Sequence, residues 1–181
     1  MKIIYLILLF CSVALADRDG GPYIGIGYGM SKYDDDNLYK EQKIDSSKAI
    51  AIYGGAYINK HLGVELAYID FNAGDHFTVI DNSDYKDDLH FKSLNVSTLV
   101  HYAFFDDILD FYAKFGVGEM KTNQTSSGGF TMLFGGGMGV RFSEMFGMKV
   151  AYDRYSLDYT DDMQDKKMYM DFVYTALEIQ F

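Results

Sequence analysis

The residues best placed to do chemistry are charged side chains set into otherwise apolar or glycine-rich runs. Glu65 lies between Val64 and Leu66. Lys149 and Asp153 bracket Val150-Ala151-Tyr152. Lys114, Arg141 and Glu178 interrupt similar runs further along the chain. Successive side chains of an extended strand point to opposite faces. Each of these six charges therefore points away from its bulky apolar neighbours, toward a face that also carries Gly and Ala. A charge removed from water is costly unless it is paired. Three acids and three bases on one side of a wall are thus expected to form a network of ion pairs.

A second group of carboxylates falls in polar stretches between those runs. The first holds Asp34, Asp35, Asp36, Glu41 and Asp45, and the second Asp75, Asp81, Asp84, Asp87 and Asp88. The last holds Asp158, Asp161, Asp162 and Asp165. Carboxylates bind calcium or magnesium, but none of these stretches has the ordered Asp/Asn-Gly-Glu spacing of an EF-hand. They read as a solvated, charge-repelling surface able to meet a partner, and neither a metal nor any other cofactor is expected. His76 and His90 lie in or near the second stretch with Ser83 and several Asp. Their order matches no hydrolase arrangement of nucleophile, base and acid, and catalysis is not expected. Asn123-Gln124-Thr125 fits a glycosylation acceptor, but Lys121 stands where an acidic residue is preferred.

Composition narrows the classes further. The formal net charge is −10 and the sequence pI is about 4.7, which disfavours nucleic-acid binding. A lone cysteine, Cys11, excludes a disulfide framework and a Cys-rich zinc module.

The elements that must position the charges are strands. Period-two alternation runs through Tyr23–Met30, Ala49–Ile58, Leu62–Phe71, Leu89–Phe104, Asp110–Lys121, Phe130–Phe142, Phe146–Tyr155 and Val173–Phe181. That makes eight strands, several longer than the ~9–11 residues of a tilted transmembrane strand. The connections alternate in length. Asn59–His61, Phe105–Leu109 and Ser143–Met145 are short, whereas Asp34–Asp45, Asn72–Asp88, Thr122–Gly129 and Ser156–Lys167 are longer and polar. In an up-and-down meander the short turns then gather at one end, which also puts His101 there, and the long loops at the other. This is the pattern of an all-β, eight-stranded antiparallel transmembrane barrel.

A soluble lipocalin-like barrel binding an apolar ligand has the same alternation with its apolar face turned inward. The opposite face favours the membrane reading, because it is dominated by small residues: Gly25, Gly27, Gly54, Ala56, Ala67, Gly116, Gly118, Gly135, Gly137 and Gly139. Small residues suit a narrow interior. Aromatics stand toward the strand ends of the apolar face (Tyr28, Tyr57, Tyr68, Tyr102, Phe142, Tyr152 and Phe181), as membrane interfaces favour. An interior of eight strands is just wide enough to be filled by side chains, so general diffusion is not expected. Residues 1–16 read as a secretory signal peptide, with Lys2, an apolar run too short to span a bilayer, and Ala14-Leu15-Ala16 as the cleavage site. The barrel is expected over 17–181.

Ile52–Tyr68 resembles the second hairpin of the small eight-stranded outer-membrane barrels, such as the transmembrane domain of outer membrane protein A and the OmpX-like proteins. Phe111–Gly116 and Gly135–Val140 are similar to later strands of that family. Leu177, Ile179 and Phe181 resemble the terminal-strand signal read by the barrel assembly machinery during insertion. The resemblance implies residence in the outer membrane of a Gram-negative bacterium, with outer-membrane lipid and lipopolysaccharide as surroundings. It also implies a structural, adhesin-like or porin-like role around a narrow or closed lumen. Glu65 and Lys149 match an interior acid–base pair of that family, while Leu99 stands where a neighbouring lysine of that network is found. An outer-membrane lipid-modifying enzyme is a further alternative.

Overall fold

The computed structural model describes residues 20–34, 46–72, 77–80, 86–105, 108–122, 129–161 and 164–181. The expected leader lies outside these residues. Among these described residues ten strands form: β1 (Gly21–Asp34), β2 (Ser47–Asn59), β3 (Leu62–Asp70), β4 (Phe77–Ile80), β5 (Lys86–Leu89), β6 (Phe91–Phe104), β7 (Leu109–Thr122), β8 (Gly129–Arg141), β9 (Phe146–Asp161) and β10 (Gln164–Gln180). Eight of them close a barrel in the order β1-β10-β9-β8-β7-β6-β3-β2, and every neighbouring pair is antiparallel. Closure leaves no sheet edge in the barrel wall, so its backbone groups are satisfied without water.

The register fixes the tilt. From Tyr23 the direct partners run Gly55, Glu65, Ser97, Gly116, Leu133, Tyr155 and Met170. Tyr23 also pairs directly with Gln180. One circuit therefore climbs ten residues along β10, from Gln180 to Met170. Such a stagger tilts the strands by ~35–45° from the axis.

The short turns are built from their own side chains. Asn59 Oδ1 accepts from the backbone N–H of His61 (2.8 Å) and Leu62 (3.0 Å). Ser143 Oγ accepts from the N–H of Phe146 (3.1 Å) and Met145 (3.3 Å). Phe105 turns the β6–β7 connection with φ 54°, in the left-handed region. The barrel's first and last strands meet at this end, where the Phe181 N–H donates to the Pro22 carbonyl (2.9 Å).

Side-chain direction separates the two barrel classes. Ile24, Ile26, Tyr28 and Met30 are each more than half exposed, as are Ile52, Val96, Phe134 and Leu177. They cover the outside of the wall, the reverse of a lipocalin-like barrel, where they would form the core. Tyr28, Tyr68, Tyr102, Phe142, Tyr152 and Phe181 are exposed on the same outer face.

Three expectations need correction. Tyr57 points into the barrel, while Gly54 and Ala56 stand on the outer face: Tyr57 pairs with the inward Gly63, and Ala56 with the outward Val64. The interior needs the Tyr57 hydroxyl, which donates to Glu178 (2.7 Å), and this outweighs the preference for small residues inside. The last long loop is largely strand, because the β9–β10 ladder continues to the pair Asp161–Gln164. The second long loop contains the separate hairpin β4–β5. Ladder hydrogen bonds join backbones, so strands that run beyond the apolar belt need no apolar alternation.

Candidate functional site

The wall brings charged residues from four strands to one place inside the barrel. β3 contributes Glu65, β7 Lys114, β9 Lys149 and Asp153, and β10 Glu178. Lys114 Nζ lies 2.8 Å from Glu65 Oε1 and 3.0 Å from Asp153 Oδ2. Lys149 Nζ lies 3.2 Å from Glu65 Oε2 and 3.3 Å from Glu178 Oε2. The result is a line of alternating sign, Asp153–Lys114–Glu65–Lys149–Glu178. Glu65, Lys114 and Asp153 are each no more than 2% exposed.

Tyrosines supply the remaining polar contacts. Tyr23 donates to Glu65 Oε2 (3.1 Å), Tyr174 to Asp153 Oδ2 (3.2 Å) and Tyr57 to Glu178 Oε1. The ammonium of Lys149 also sits 3.9 Å from the centre of the Tyr53 ring, a cation–π contact. Glycines make room for these rings. A Cβ on Gly25 would overlap the Tyr53 ring, and one on Gly137 would come within 2.8 Å of the Tyr112 hydroxyl. In both cases the glycine is the direct cross-strand partner of the tyrosine whose ring lies over it.

Arg141 stands apart from this line. No carboxylate of the described residues lies within ion-pair distance of it, and its guanidinium lies 5.6 Å from the centre of the Tyr57 ring. It lines a small vestibule at the short-turn end, together with Tyr57, Leu99, His101, Lys149 and Glu178. The cavity is about 30 Å³, enough for about one water. There His101 Nδ1 lies 2.7 Å from Asp110 Oδ2, and the imidazole ring packs against Tyr57 and Tyr112. Leu99 is buried beside the network, opposite Lys114 in the β6–β7 register.

Toward the long loops the lumen changes character. Tyr155 and Phe172 follow Asp153 and Tyr174 toward that end of their strands, and Phe71 lies just beyond the end of β3, which carries Glu65. Phe71 meets Tyr155 (centroids 5.2 Å apart) and Phe172 (5.9 Å) edge to face, and Phe172 stacks on Tyr174 at 4.5 Å. Leu133, Met120 and Met170 are fully buried around them. This apolar plug was not anticipated from the sequence. Its signal is the pair Ile69 and Phe71, bulky residues on the parity opposite to Val64, Leu66 and Tyr68.

The other candidates are dispersed. Leu177 and Phe181 are exposed on the outer face, and Ile179 shares their parity on β10. Among the loop acids, Asp34 ends β1, Asp87 and Asp88 lie on β5, Asp158 and Asp161 on β9, and Asp165 on β10. The remaining loop acids, with His76 and Ser83, lie outside the described residues, and His90 immediately precedes β6. Among the described residues no cluster of His, Cys, Asp or Glu is suited to hold a metal.

Comparison with known proteins agrees with this architecture. The family model described as "Outer membrane protein beta-barrel domain" matches residues 3–177. Neisserial surface protein A superposes with a TM-score of 0.65 at 13% identity, covering 89% of this chain and 97% of that one. OprG of Pseudomonas aeruginosa gives 0.52 at 15% identity, over 90% and 97%. Ail of Yersinia pestis, in complex with the heparin analogue sucrose octasulfate, gives 0.51 at 14% identity, over 88% and 99%. At these identities the likeness is one of fold. No curated protein matches the sequence.

Proposed function

Because the chain belongs to the outer membrane protein β-barrel domain family, we propose that it is a closed, non-conducting barrel of the outer membrane that carries long acidic loops at the cell surface. Its role on this reading is structural and adhesive rather than porin-like. One observation carries the proposal: the lumen is obstructed twice over, by the Lys114–Glu65–Lys149 network and by the Phe71–Tyr155–Phe172 plug. A hydrated ion moving along the axis would have to part buried ion pairs and then enter an apolar layer, each of which is costly. The vestibule beneath them is a dead end.

The acidic stretches set the kind of surface partner. Ail was crystallised with a sulfated polyanion. In this chain the long polar stretches of the sequence hold Asp34–Asp36, Asp81, Asp84, Asp87, Asp88, Asp158, Asp161 and Asp162, a charge that repels such a ligand and favours a cationic one. The enzyme alternative has less support, since the His101–Asp110 pair lies at the short-turn end, away from the outer leaflet.

The test is conductance of the refolded barrel in planar bilayers, with wild type and Lys149→Met compared. Both are expected to stay closed, the variant because the plug remains. Regular single-channel steps from the wild type would refute the closed lumen. For the loops, folded protein should retain a polylysine probe and not heparin on matched resins; retention of heparin would refute the cationic assignment.

A further inference from the structure

We propose that the short-turn end of the barrel binds a linear aliphatic diamine or polyamine, with one primary ammonium group seated in the vestibule and the next in an adjoining cavity at the rim. On the outer-membrane reading above, this end faces the periplasm. The site lies at the opposite end from the acidic loops, and its chemistry does not depend on what they bind.

The charge count of the lumen points to a cation. Among the described residues, the inward carboxylates at and below the network are Glu65, Asp110, Asp153 and Glu178, and the inward bases are Lys114, Lys149 and Arg141. With His101 neutral, one negative charge is left without a counter-charge. A charge held out of water is costly unless it is paired. The imbalance falls on the vestibule, because the acids above it are already held. Lys114 spans Glu65 and Asp153, and Lys149 spans Glu65 and Glu178. Among the described residues, the side-chain partner of Asp110 is the His101 imidazole at 2.7 Å.

The hydrogen-bonding groups fit an ammonium. Asp110 Oδ2 accepts from His101 Nδ1, so the neutral ring keeps its lone pair on Nε2. Among the described residues, His101 Nε2, Asp110 Oδ1 and the Tyr112 hydroxyl are buried without a hydrogen-bond partner, and all three residues line the vestibule. A primary ammonium is about the size of the water that the cavity holds, and it brings three donors and no acceptor. The rings of Tyr57 and Tyr112 flank His101 and offer their faces to a cation. Side-chain exposure rises from His101 (4%) to Glu178 (13%) and Asp110 (21%), so the vestibule opens at the rim. A second cavity of about 20 Å³ adjoins it there, sharing Arg141, Gly147 and Glu178 and adding Glu144. Two adjoining cavities, each with a surplus acid, match two ammonium groups on one flexible chain. Arg141 lines both. Its guanidinium, with no carboxylate of the described residues within ion-pair distance, is the cation with which an incoming amine competes.

The experiment titrates the folded, detergent-solubilised barrel with putrescine, butylamine and butanol at constant ionic strength. The pH is mildly alkaline, where an ordinary imidazole is neutral and an alkylamine is charged. The histidine ring nitrogens are followed by long-range proton–nitrogen correlation. The His101 Nε2 signal is expected to shift saturably with both amines and not with butanol. Shifts at His76 and His90 report adsorption to the acidic stretches and are scored separately. Putrescine should bind about threefold more tightly than butylamine, the scale of an exposed ion pair. Glu144→Gln should remove that advantage and leave butylamine unchanged. Asp110→Asn should weaken both amines at least about tenfold, as for loss of a hydrogen bond to a charged group. Arg141→Gln should tighten both, because it removes the competing cation. Heat-modifiable gel migration shows which variants are folded, and the two rim variants carry the test if Asp110→Asn does not fold. An undisturbed His101 signal, an equal shift with butanol, unchanged binding by folded Asp110→Asn, or weaker binding by Arg141→Gln would overturn the proposal. A putrescine advantage that survives Glu144→Gln would overturn the second seat. None of these outcomes bears on the closed lumen, which the conductance measurement tests separately.

Discussion

Replacing Lys114 with Met is the sharpest test of the interior. Lys114 holds two carboxylates at once, Glu65 at 2.8 Å and Asp153 at 3.0 Å, and all three are almost completely buried. Methionine keeps most of the stem volume and removes the charge. Glu65 would keep Lys149 at 3.2 Å and the Tyr23 hydroxyl at 3.1 Å. Asp153 would keep only the Tyr174 hydroxyl at 3.2 Å among these contacts. Breaking a buried pair by removing one partner costs ~3–5 kcal/mol, since it strands the other charge. With Glu65 still paired, the lower end of that range, about 3 kcal/mol, is expected. Asp153→Asn in the same chain removes the stranded charge and should restore most of the loss. The measurement is reversible urea unfolding in lipid vesicles, followed by far-ultraviolet circular dichroism and heat-modifiable migration, since the chain has no Trp. A loss below about 1 kcal/mol, the usual value of exposed pairs, would mean that the network is solvated. So would a Lys114–Asp153 coupling energy near zero in the double-mutant cycle.

Three further outcomes follow from the wall itself. Ile26→Arg, placed midway along the outer apolar face, should cost ~2–4 kcal/mol of refolding free energy in vesicles; a neutral result would mean that Ile26 does not face hydrocarbon. Gly25→Val should cost ~1–3 kcal/mol by driving the side chain into the Tyr53 ring, and Tyr53→Ala in the same chain should relieve part of it in the same unfolding assay. Asn59→Ala removes the acceptor for two turn N–H groups and should lower stability by ~1 kcal/mol, again by urea unfolding, without changing the barrel's circular dichroism.

The membrane class of this fold is legible in sequence because hydrocarbon imposes a one-sided rule. Every outward position of β1 from Ile24 to Met30 must be apolar, and the period-two pattern shows it. The interior obeys no such rule. Tyr53 and Tyr57 point inward where small residues were expected, because the lumen carries buried charges that need hydroxyl donors and ring faces. Glu65, Lys114, Lys149, Asp153 and Glu178 could be assigned to the lumen by parity. Parity alone could not say which acid meets which base, because pairing depends on the stagger around the wall; the pair Glu65 and Lys149 was expected only from the family resemblance, and Lys149 lies 3.2 Å from Glu65 across the lumen, on a strand that is not its neighbour in the sheet. Arg141 has the right parity and still joins no ion pair among the described residues, since it lies at the rim. The ladder beyond Ser156 escaped notice for the opposite reason, that backbone pairing outside the membrane leaves no apolar signature.

The interior also explains why so many glycines face inward. An eight-stranded wall with a ten-residue stagger encloses a space that side chains must fill without crowding. Glycine on one strand lets the tyrosine paired with it on the next strand lay its ring over the glycine, as Gly25 does for Tyr53. Tyr23, Tyr57 and Tyr174 also bring hydroxyls to the carboxylates, and Tyr53 offers its ring face to Lys149, so filling the space and supporting the network go together. Above the network Phe71 and Phe172 fill the lumen, and among the described residues no charged side chain is buried with them. The two layers would resist solute by different physics. Neutralising the carboxylates would weaken the ion pairs and leave the aromatic contacts in place, whereas truncating the rings would open the apolar layer and leave the ion pairs in place. A lumen closed in this way needs both layers breached before it can conduct.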